Sequence, residues 1–158
     1  MRYWLMKSEP STFSFDDLLK AKNRTTSWEG VRNYQARNFM RDEFALKDGV
    51  LFYHSNAEPP CIAGVAEVVK KGYPDPFAFD SKSKYYDPDA AKKGINPWIT
   101  VDIKATMKLS KPISREQLAA TAALKNMMVL KKGSRLSVQP VTEAEFRAVL
   151  KLGQATPI

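Results

Sequence analysis

An indole side chain beside a cationic stretch is the part of this sequence best suited to binding a ligand. Trp28 is flanked by polar residues, unlike a typical core position, and Arg32 and Asn33 follow it closely. A base taken out of a nucleic-acid stack is held against aromatic faces, with polar groups on its Watson–Crick edge. These residue types therefore favour base recognition. Their ordinary alternatives are a core tryptophan, a solvated helix arginine and a helix-capping asparagine.

Further aromatic residues occupy an irregular stretch between Gly72 and Pro97, just before the strand predicted to start at Trp98. A loop of this length in a compact domain is usually functional or packs as a lid. We expect some of its aromatic side chains to reach a binding pocket and the others to pack beside the core. They are Tyr73, Phe77, Phe79, Tyr85 and Tyr86.

Residues that could support catalysis are few. The only histidine, His54, lies in an apolar strand next to Ser55, and neighbouring strand residues point to opposite faces of a sheet. These two side chains cannot act together as base and nucleophile, and G-x-S-x-G, P-loop and G-x-G-x-x-G motifs are absent. One Cys61 and one histidine allow neither an internal disulfide nor a Cys/His zinc site. We therefore expect a protein that is not an enzyme and holds no metal or cofactor.

The charge of the chain indicates a polyanionic partner. The net charge is +8, and residues 104–135 contain eight Lys or Arg against a single acid, Glu116. This distribution predicts one basic face, and basic side chains near phosphates gain from the release of counterions. The alternative is a basic protein that touches no nucleic acid, because net charge alone does not establish a partner.

Length and hydropathy favour one intracellular domain. The 158 residues would give thin cores if they were split, so we expect a single domain over residues 1–153 and a short tail at 154–158. No apolar run approaches the roughly 20 residues of a membrane span, and the N-terminus lacks the apolar region of a secretory signal. We expect a monomer that binds no membrane, cytoplasmic with access to the nucleoid in a bacterium, or nuclear in a eukaryote.

Apolar and β-branched runs predict the strands. The Asp48-Gly49 turn precedes two such runs, which we expect to form an antiparallel pair. The predicted strands are Tyr3–Met6, Val50–Ser55, Ile62–Val69, Trp98–Leu109 and a brief extended segment, Leu136–Val141.

Capping signals predict the helices. Ser14 is followed by two aspartates, and capping boxes begin at Ser114 and Thr142. An amphipathic helix is predicted over Arg32–Phe44, helical composition continues over Ala119–Leu130, and Asn23–Ser27 is predicted to be a polar loop. Strands mixed with peripheral helices, without a βαβ rhythm, predict an α+β domain built around a curved or barrel-like sheet.

Six blocks spread over the chain together form a recognisable pattern. They are Lys7-Ser-Glu-Pro10, Trp28-Glu-Gly-Val-Arg-Asn-Tyr-Gln-Ala-Arg-Asn38, Phe52-Tyr-His-Ser55, Tyr73-Pro-Asp-Pro76, Tyr85-Tyr-Asp-Pro88 and Arg135-Leu-Ser-Val-Gln-Pro-Val141. In this order they resemble the signature of the EVE domain family, from about Tyr3 to Leu152. The resemblance implies a PUA-like fold, a small twisted β-barrel with helices around it. It also implies that the chain binds nucleic acid containing a modified base, such as 5-methylcytosine or 5-hydroxymethylcytosine in DNA.

The resemblance places a base pocket between the barrel and the helices. Trp28 would be its stacking wall and Asn33 would contact the base edge or the sugar, while Asp80 and Tyr85 would close the opposite side. The implied pocket residues are Ser8, Trp28, Asn33, His54, Ser55, Asp80 and Tyr85. The implied phosphate contacts are Arg32, Arg37 and Arg135.

Three other functions stay open. A small hydrolase of modified nucleosides, as some PUA-like relatives are, would need a site in the same pocket, with Lys7 beside Glu9 or Glu29. An RNA-binding module of PUA type is the second, and an accessory interaction domain with a vestigial pocket is the third. The segment Glu58-Pro-Pro-Cys61 departs from the family pattern, which tends to carry a glycine there, so the loop beside His54 is expected to differ in shape.

Overall fold

Seven strands form one mixed sheet in the computed structural model, which describes residues 1–158. The strand order is β2-β5-β4-β3-β1-β6, with β7 paired to β5. β1 and β3 are parallel and every other pair is antiparallel. The strands are β1 (Tyr3–Ser8), β2 (Thr25–Ser27), β3 (Gly49–His54), β4 (Cys61–Pro74), β5 (Ile99–Ser114), β6 (Val138–Val141) and β7 (Thr156–Pro157).

Five short helices surround the sheet, and side chains cap their first turns. Ser14, Ser114 and Thr142 each form the reciprocal capping box that the sequence predicts. The helices are α1 (Phe15–Lys20), α2 (Tyr34–Asn38), α3 (Pro88–Lys93), α4 (Arg115–Ala120) and α5 (Glu143–Leu152), and a π turn over Phe39–Glu43 continues α2. No helix is long and apolar enough to cross a membrane.

Alternation along the strands divides the buried side chains between two cores, one on each face of the sheet. In β3, Val50 and Phe52 belong to the larger core, whereas Leu51 and Tyr53 belong to the smaller one. The larger core contains Trp28 together with side chains of α1 and α2. The smaller core is covered by α4 and α5. Both faces of the sheet are therefore buried, which explains the nearly continuous apolar runs in β1 and β3.

The sheet bends because its two longest strands are irregular. β4 and β5 pair over most of their length, but the register between them shifts at several points. Such bulges increase twist and let a strand bend. Edge strand β2 and the segment that leads into β6 at the opposite edge contribute to the same cleft, so the sheet curls until its edges approach one another. The predicted α+β class with a curved, PUA-like sheet is confirmed.

Most predicted elements are present, and the differences have physical causes. The antiparallel pair β3–β4 is confirmed, although β4 runs on to Pro74. The helix predicted over Ala119–Leu130 is wrong, because α4 ends at Ala120 and Leu124, Met127 and Val129 follow in turns that bury them in the smaller core. The predicted polar loop at Asn23–Ser27 instead contributes β2, whose register with β5 begins at Thr25.

Two segments predicted to be irregular contain regular structure. The stretch between Gly72 and Pro97 holds a 3-10 turn at Pro76–Phe79 and helix α3, which Asp87 caps. The expected tail at 154–158 adds β7 to the edge of β5 through Thr156 and Pro157. Backbone hydrogen bonds anchor both segments, because Asp75 N donates to Trp98 O and Ile158 N donates to Thr106 O.

Candidate functional site

A cleft of about 740 Å³ opens beside the larger core, at the end of β1. It is lined by Lys7, Ser8 and Glu9 from β1 and its continuation, and by the segment from Thr26 to Arg32. The loop between β4 and β5 and the segment before β6 complete its walls. The volume falls within the roughly 300–1,000 Å³ of small-molecule sites, so the cleft can admit one base. No group of three or more His, Cys, Asp or Glu side chains is arranged to hold a metal ion.

Trp28 forms one wall of the cleft and is also part of the larger core. Its backbone N–H donates to Val101 O over 2.8 Å, and its ring meets the Phe52 ring edge to face at a centroid distance of 5.3 Å. The residue is 8% exposed. The indole N–H of Trp28 has no acceptor in the protein, whereas Trp4 Nε1 and Trp98 Nε1 donate to Asp48 and Asp87. Trp28 is therefore the tryptophan whose polar group stays available beside a cleft.

A buried carboxylate, Asp75, fixes the backbone of the Trp28 segment. Its side chain is fully buried and accepts hydrogen bonds from Gly30 N and Phe77 N, each over 2.9 Å. Asp75 Oδ2 also lies 3.0 Å from Arg32 Nη1. The backbone of Asp75 bonds to Trp98 O and to the side chain of Asn96. This residue belongs to the Tyr73–Pro76 block, yet sequence reasoning gave it no role.

Arg32 joins the Trp28 segment to the loop that carries Tyr85. Its Nε and Nη2 donate to Tyr85 O over 3.1 and 2.7 Å, and Nη1 donates to Asp75 and to Val31 O. The guanidinium also lies over the rings of Tyr85 and Trp98, at 5.8 and 5.3 Å. All three nitrogens have protein partners. The structure thus shows Arg32 bonded to groups of the protein, whereas the sequence predicted a contact with a phosphate.

Tyr85 lines the side of the cleft formed by the loop and packs directly on a glycine. Gly30 has φ +89, and a Cβ added there would lie 2.5 Å from Tyr85 Cε1 and Cζ. Only glycine adopts this backbone conformation without strain and leaves room for the ring. Trp28 belongs to this short segment and is held by the core, while Tyr85 belongs to the loop between β4 and β5 and packs on Gly30 of the same segment.

Glu29 places a carboxylate in the cleft next to Trp28. Ser27 Oγ donates to Glu29 Oε2 over 2.5 Å, and Glu29 takes part in no ion pair. Behind this segment, Tyr73 OH donates to Asp102 Oδ1 over 2.6 Å. Burial, and then this hydrogen bond to a carboxylate, raise the pKa of the Tyr73 phenol well above its usual range. Tyr73 is therefore a neutral hydrogen-bond donor.

The strand ends supply the polar floor of the cleft. Ser8 Oγ donates to Phe13 O over 2.6 Å, and Ser8 O accepts from Ser55 N. Ser8 and Ser55 both line the cleft. His54 does not, because its Nε2 accepts a hydrogen bond from Phe15 N over 3.1 Å at the start of α1. Burial lowers the pKa of His54, so the neutral imidazole that can accept this bond is favoured.

Three cations lie at the cleft without a carboxylate partner. Lys7, Lys84 and Arg135 all line it, and the four ion pairs of the structure involve none of them. Burial and the nearby Arg115 lower the pKa of Lys7. Lys84 Nζ lies 5.1 Å from the centre of the Tyr85 ring. These unpaired cations outnumber the two glutamates of the lining, Glu9 and Glu29, and two of the three cations, Lys7 and Lys84, had not been predicted as phosphate contacts.

Four of the predicted site residues lie outside the cleft, and His54 is one of them. Asn33 caps α2, with its Oδ1 accepting from Ala36 N. Asp80 is exposed and accepts from Lys82 N. Arg37 donates to Pro97 O and lies over the Tyr34 ring at 4.8 Å. The cleft itself brings together Ser8, Trp28, Arg32, Ser55, Tyr85 and Arg135 of the predicted set.

Comparison with known proteins identifies the family. Human thymocyte nuclear protein 1 is 40% identical over 173 residues, which cover 98% of this chain and 75% of that protein. A crystal structure of a Pseudomonas syringae protein superposes with a TM-score of 0.87 at 44% identity, covering 95% and 98% of the two chains. A crystal structure of human THYN1 protein in complex with 5-methylcytosine-containing DNA gives a TM-score of 0.87 at 40% identity, covering 99% and 100%. Residues 2–152 match the sequence model of the EVE domain, and the chain belongs to the EVE domain family.

Proposed function

We propose that this chain binds DNA containing a modified cytosine and holds that base in the cleft beside Trp28. The observation that carries the proposal is the human THYN1 complex with 5-methylcytosine-containing DNA. That protein covers nearly the whole of this chain at 40% identity. Related chains of this similarity keep their fold, so a ligand site at the same place is the simplest expectation.

The chemistry of the cleft supports a base as the ligand. A base removed from the stack needs an apolar face and hydrogen-bonding groups at its edge. Trp28 supplies the face, while the indole N–H, Glu29 and the backbone near Ser8 supply donors and acceptors. Tyr85 packs on Gly30, also lines the cleft and would enclose the ligand.

The unpaired cations support a nucleic acid rather than a free nucleoside. Lys7, Lys84 and Arg135 lie around the cleft, where the phosphates next to an extruded base would pass. Each phosphate contact releases condensed counterions, so affinity should fall steeply with salt. A free nucleoside would show no such dependence.

A binding screen tests the proposal. Duplex oligonucleotides that differ only in one base, cytosine, 5-methylcytosine or 5-hydroxymethylcytosine, are titrated by fluorescence anisotropy at two salt concentrations, with matched RNA as a further arm. We expect tighter binding of modified than of unmodified DNA and a negative salt slope. Equal affinity for all the duplexes would contradict the proposal. A preference for RNA would show that the ligand is RNA rather than DNA.

A further inference from the structure

Glu29 has unused hydrogen-bonding capacity where the ligand would lie. Its carboxylate lies in the cleft, half-buried, and accepts one hydrogen bond, from Ser27 Oγ to Oε2. No group of the protein donates to Oε1, and no cation pairs with the side chain. An ionised carboxylate has about four acceptor sites. Most of that capacity therefore remains available to a donor that enters the cleft.

The backbone that carries this carboxylate is held on both sides. The residue before it, Trp28, donates its backbone N–H to Val101 O over 2.8 Å. The residue after it, Gly30, donates its backbone N–H to the buried Asp75 over 2.9 Å. Ser27 in turn orients one carboxylate oxygen. A group held in this way loses little freedom when it accepts a further hydrogen bond, which favours a role in recognition.

The chemistry of the bases shows why an acceptor is needed here. 5-Methylcytosine and thymine carry the same methyl group at position 5, so a pocket that senses shape and methyl alone cannot tell them apart. They differ at position 4, where cytosine presents an amine donor and thymine a carbonyl acceptor. A carboxylate accepts a hydrogen bond from the amine and repels the carbonyl oxygen. Discrimination between the two bases therefore calls for a hydrogen-bond acceptor beside the stacking face, and a carboxylate is such an acceptor.

We propose that Glu29 is the residue that selects cytosine bases over thymine, by accepting a hydrogen bond from their 4-amino group. This inference rests on the proposed function, because it assumes that the extruded base enters the Trp28 cleft. It gives the cleft two separate tasks. Trp28 supplies stacking that every base can use, and Glu29 supplies the choice among bases.

The test compares the wild-type chain with Glu29→Gln. The ligands are two duplexes that differ at one position, 5-methylcytosine or thymine opposite the same guanine. A mismatched thymine is easier to extrude, but that cost is the same for both proteins and cancels when their affinity ratios are compared. The quantity compared is the ratio of the 5-methylcytosine affinity to the thymine affinity of each protein. We expect Glu29→Gln to reduce the ratio by about tenfold or more, because its amide can also donate to the thymine carbonyl.

Controls separate recognition from charge and from folding. Glu116→Gln makes the same change of charge on exposed helix α4, away from the cleft, and should keep the wild-type ratio. Ser27→Ala retains the Glu29 carboxylate without its orienting donor and should reduce the ratio by a smaller factor. Thermal denaturation establishes that each variant is folded at the temperature of the titration.

The outcomes distinguish the inference from the function on which it rests. A wild-type chain that binds 5-methylcytosine DNA no better than unmodified DNA overturns both. A ratio of 5-methylcytosine to thymine affinity that is the same for the wild type and for Glu29→Gln overturns the role of Glu29 and leaves the proposed function standing. A ratio that Glu116→Gln reduces as much as Glu29→Gln assigns the effect to net charge and also overturns the inference.

Discussion

The guanidinium of Arg32 lies 3.0 Å from the buried carboxylate of Asp75, and this ion pair joins the segment after β2 to the loop between β4 and β5. Both segments line the cleft, one through Trp28 and the other through Tyr85. The Asp75 carboxylate also accepts a hydrogen bond from Gly30 N, so it holds the turn that follows Trp28 as well. The protein's own contacts therefore fix the frame of the cleft.

The first prediction concerns Asp75. Asp75→Ala removes the acceptor of two backbone N–H groups and leaves Arg32 without its partner in a site where the carboxylate is fully buried. Breaking a buried pair in this way costs about 3–5 kcal/mol, so we expect the free energy of unfolding to fall by that amount. Urea denaturation followed by tryptophan fluorescence measures it.

An exposed ion pair provides the control for Asp75. Asp42→Ala breaks the pair with Arg41 at 2.7 Å, and both of these side chains are about half exposed. Exposed pairs contribute roughly 0–1 kcal/mol, so this variant should stay near the wild type. If Asp75→Ala lost no more stability than Asp42→Ala, the buried pair would not be the frame of the cleft.

The second prediction concerns the contact between Gly30 and Tyr85. Gly30→Ala combines a strained positive φ with a clash, whereas Gly133 has φ +79 and nothing within 4 Å of an added Cβ. Gly133→Ala should therefore show the backbone strain alone, about 1 kcal/mol. We expect Gly30→Ala to lose more stability than Gly133→Ala and also to weaken DNA binding, because Tyr85 must move. Equal losses in denaturation and unchanged anisotropy titrations would show that the contact is unimportant.

Local signals explain which parts of the fold the sequence predicts. The capping boxes at Ser14, Ser114 and Thr142 need only residues three positions apart, and all three are present. The helix expected over Ala119–Leu130 failed because burial of Leu124 and Met127 in the smaller core favours turns over helical continuation. That preference depends on tertiary contacts and is invisible in composition.

The site shows the same division between local and distant information. Trp28 was identifiable because polar residues flank it. Asp75 was not, since its partner Arg32 lies 43 positions away and a single aspartate in a loop carries no signal of burial. Asn33 was assigned to the base edge, but a residue at the start of a helix also fits a cap, and its Oδ1 accepts from Ala36 N.

The third prediction is a pH dependence from His54. In the folded chain its neutral Nε2 accepts the Phe15 N–H, and burial holds its pKa below the ordinary value of 6.5. The unfolded chain therefore binds this proton more readily, so the free energy of unfolding should decrease as the pH falls below about 6.5 and level off below the folded pKa. Because His54 is the only histidine, its proton NMR signal gives the folded pKa without ambiguity.

A variant isolates the contribution of His54 from that of the carboxylates. His54→Gln cannot be protonated, so its stability should stay level between pH 7.5 and about 5.5, where the wild type declines. Both chains should then lose stability together at lower pH, as carboxylates such as Asp17 and Asp87, whose pKa values are lowered in the fold, become protonated. A His54 signal that titrates above pH 6.5 would contradict the assignment of the imidazole as an acceptor.

The fourth prediction assigns the phosphate contacts. Arg135 and Lys84 lie at the cleft without ion-pair partners, whereas Arg37 is held by Pro97 O and Asn38 outside it. Each phosphate contact contributes about 0.9 to the slope of log affinity against log salt for duplex DNA. We expect Arg135→Ala and Lys84→Ala each to reduce the slope by about one and Arg37→Ala to leave it unchanged. A reduced slope for Arg37→Ala would instead indicate that the DNA backbone contacts α2.

The last prediction separates stacking on Trp28 from its part in the core. Stacking is worth about 1–3 kcal/mol per base, so Trp28→Ala should weaken binding of modified DNA by roughly one to two orders of magnitude. Trp28→Phe keeps an aromatic face, so its affinity for modified DNA should fall between those of the wild type and of Trp28→Ala.

Trp28 is also only 8% exposed and packs on Phe52, so both Trp28 variants should lose stability. Trp4→Phe, in the same core but outside the cleft, should lose stability and retain affinity when all the chains are folded. If Trp4→Phe weakened binding as much as Trp28→Phe, the effect would come from the core, and the base would have to stack elsewhere.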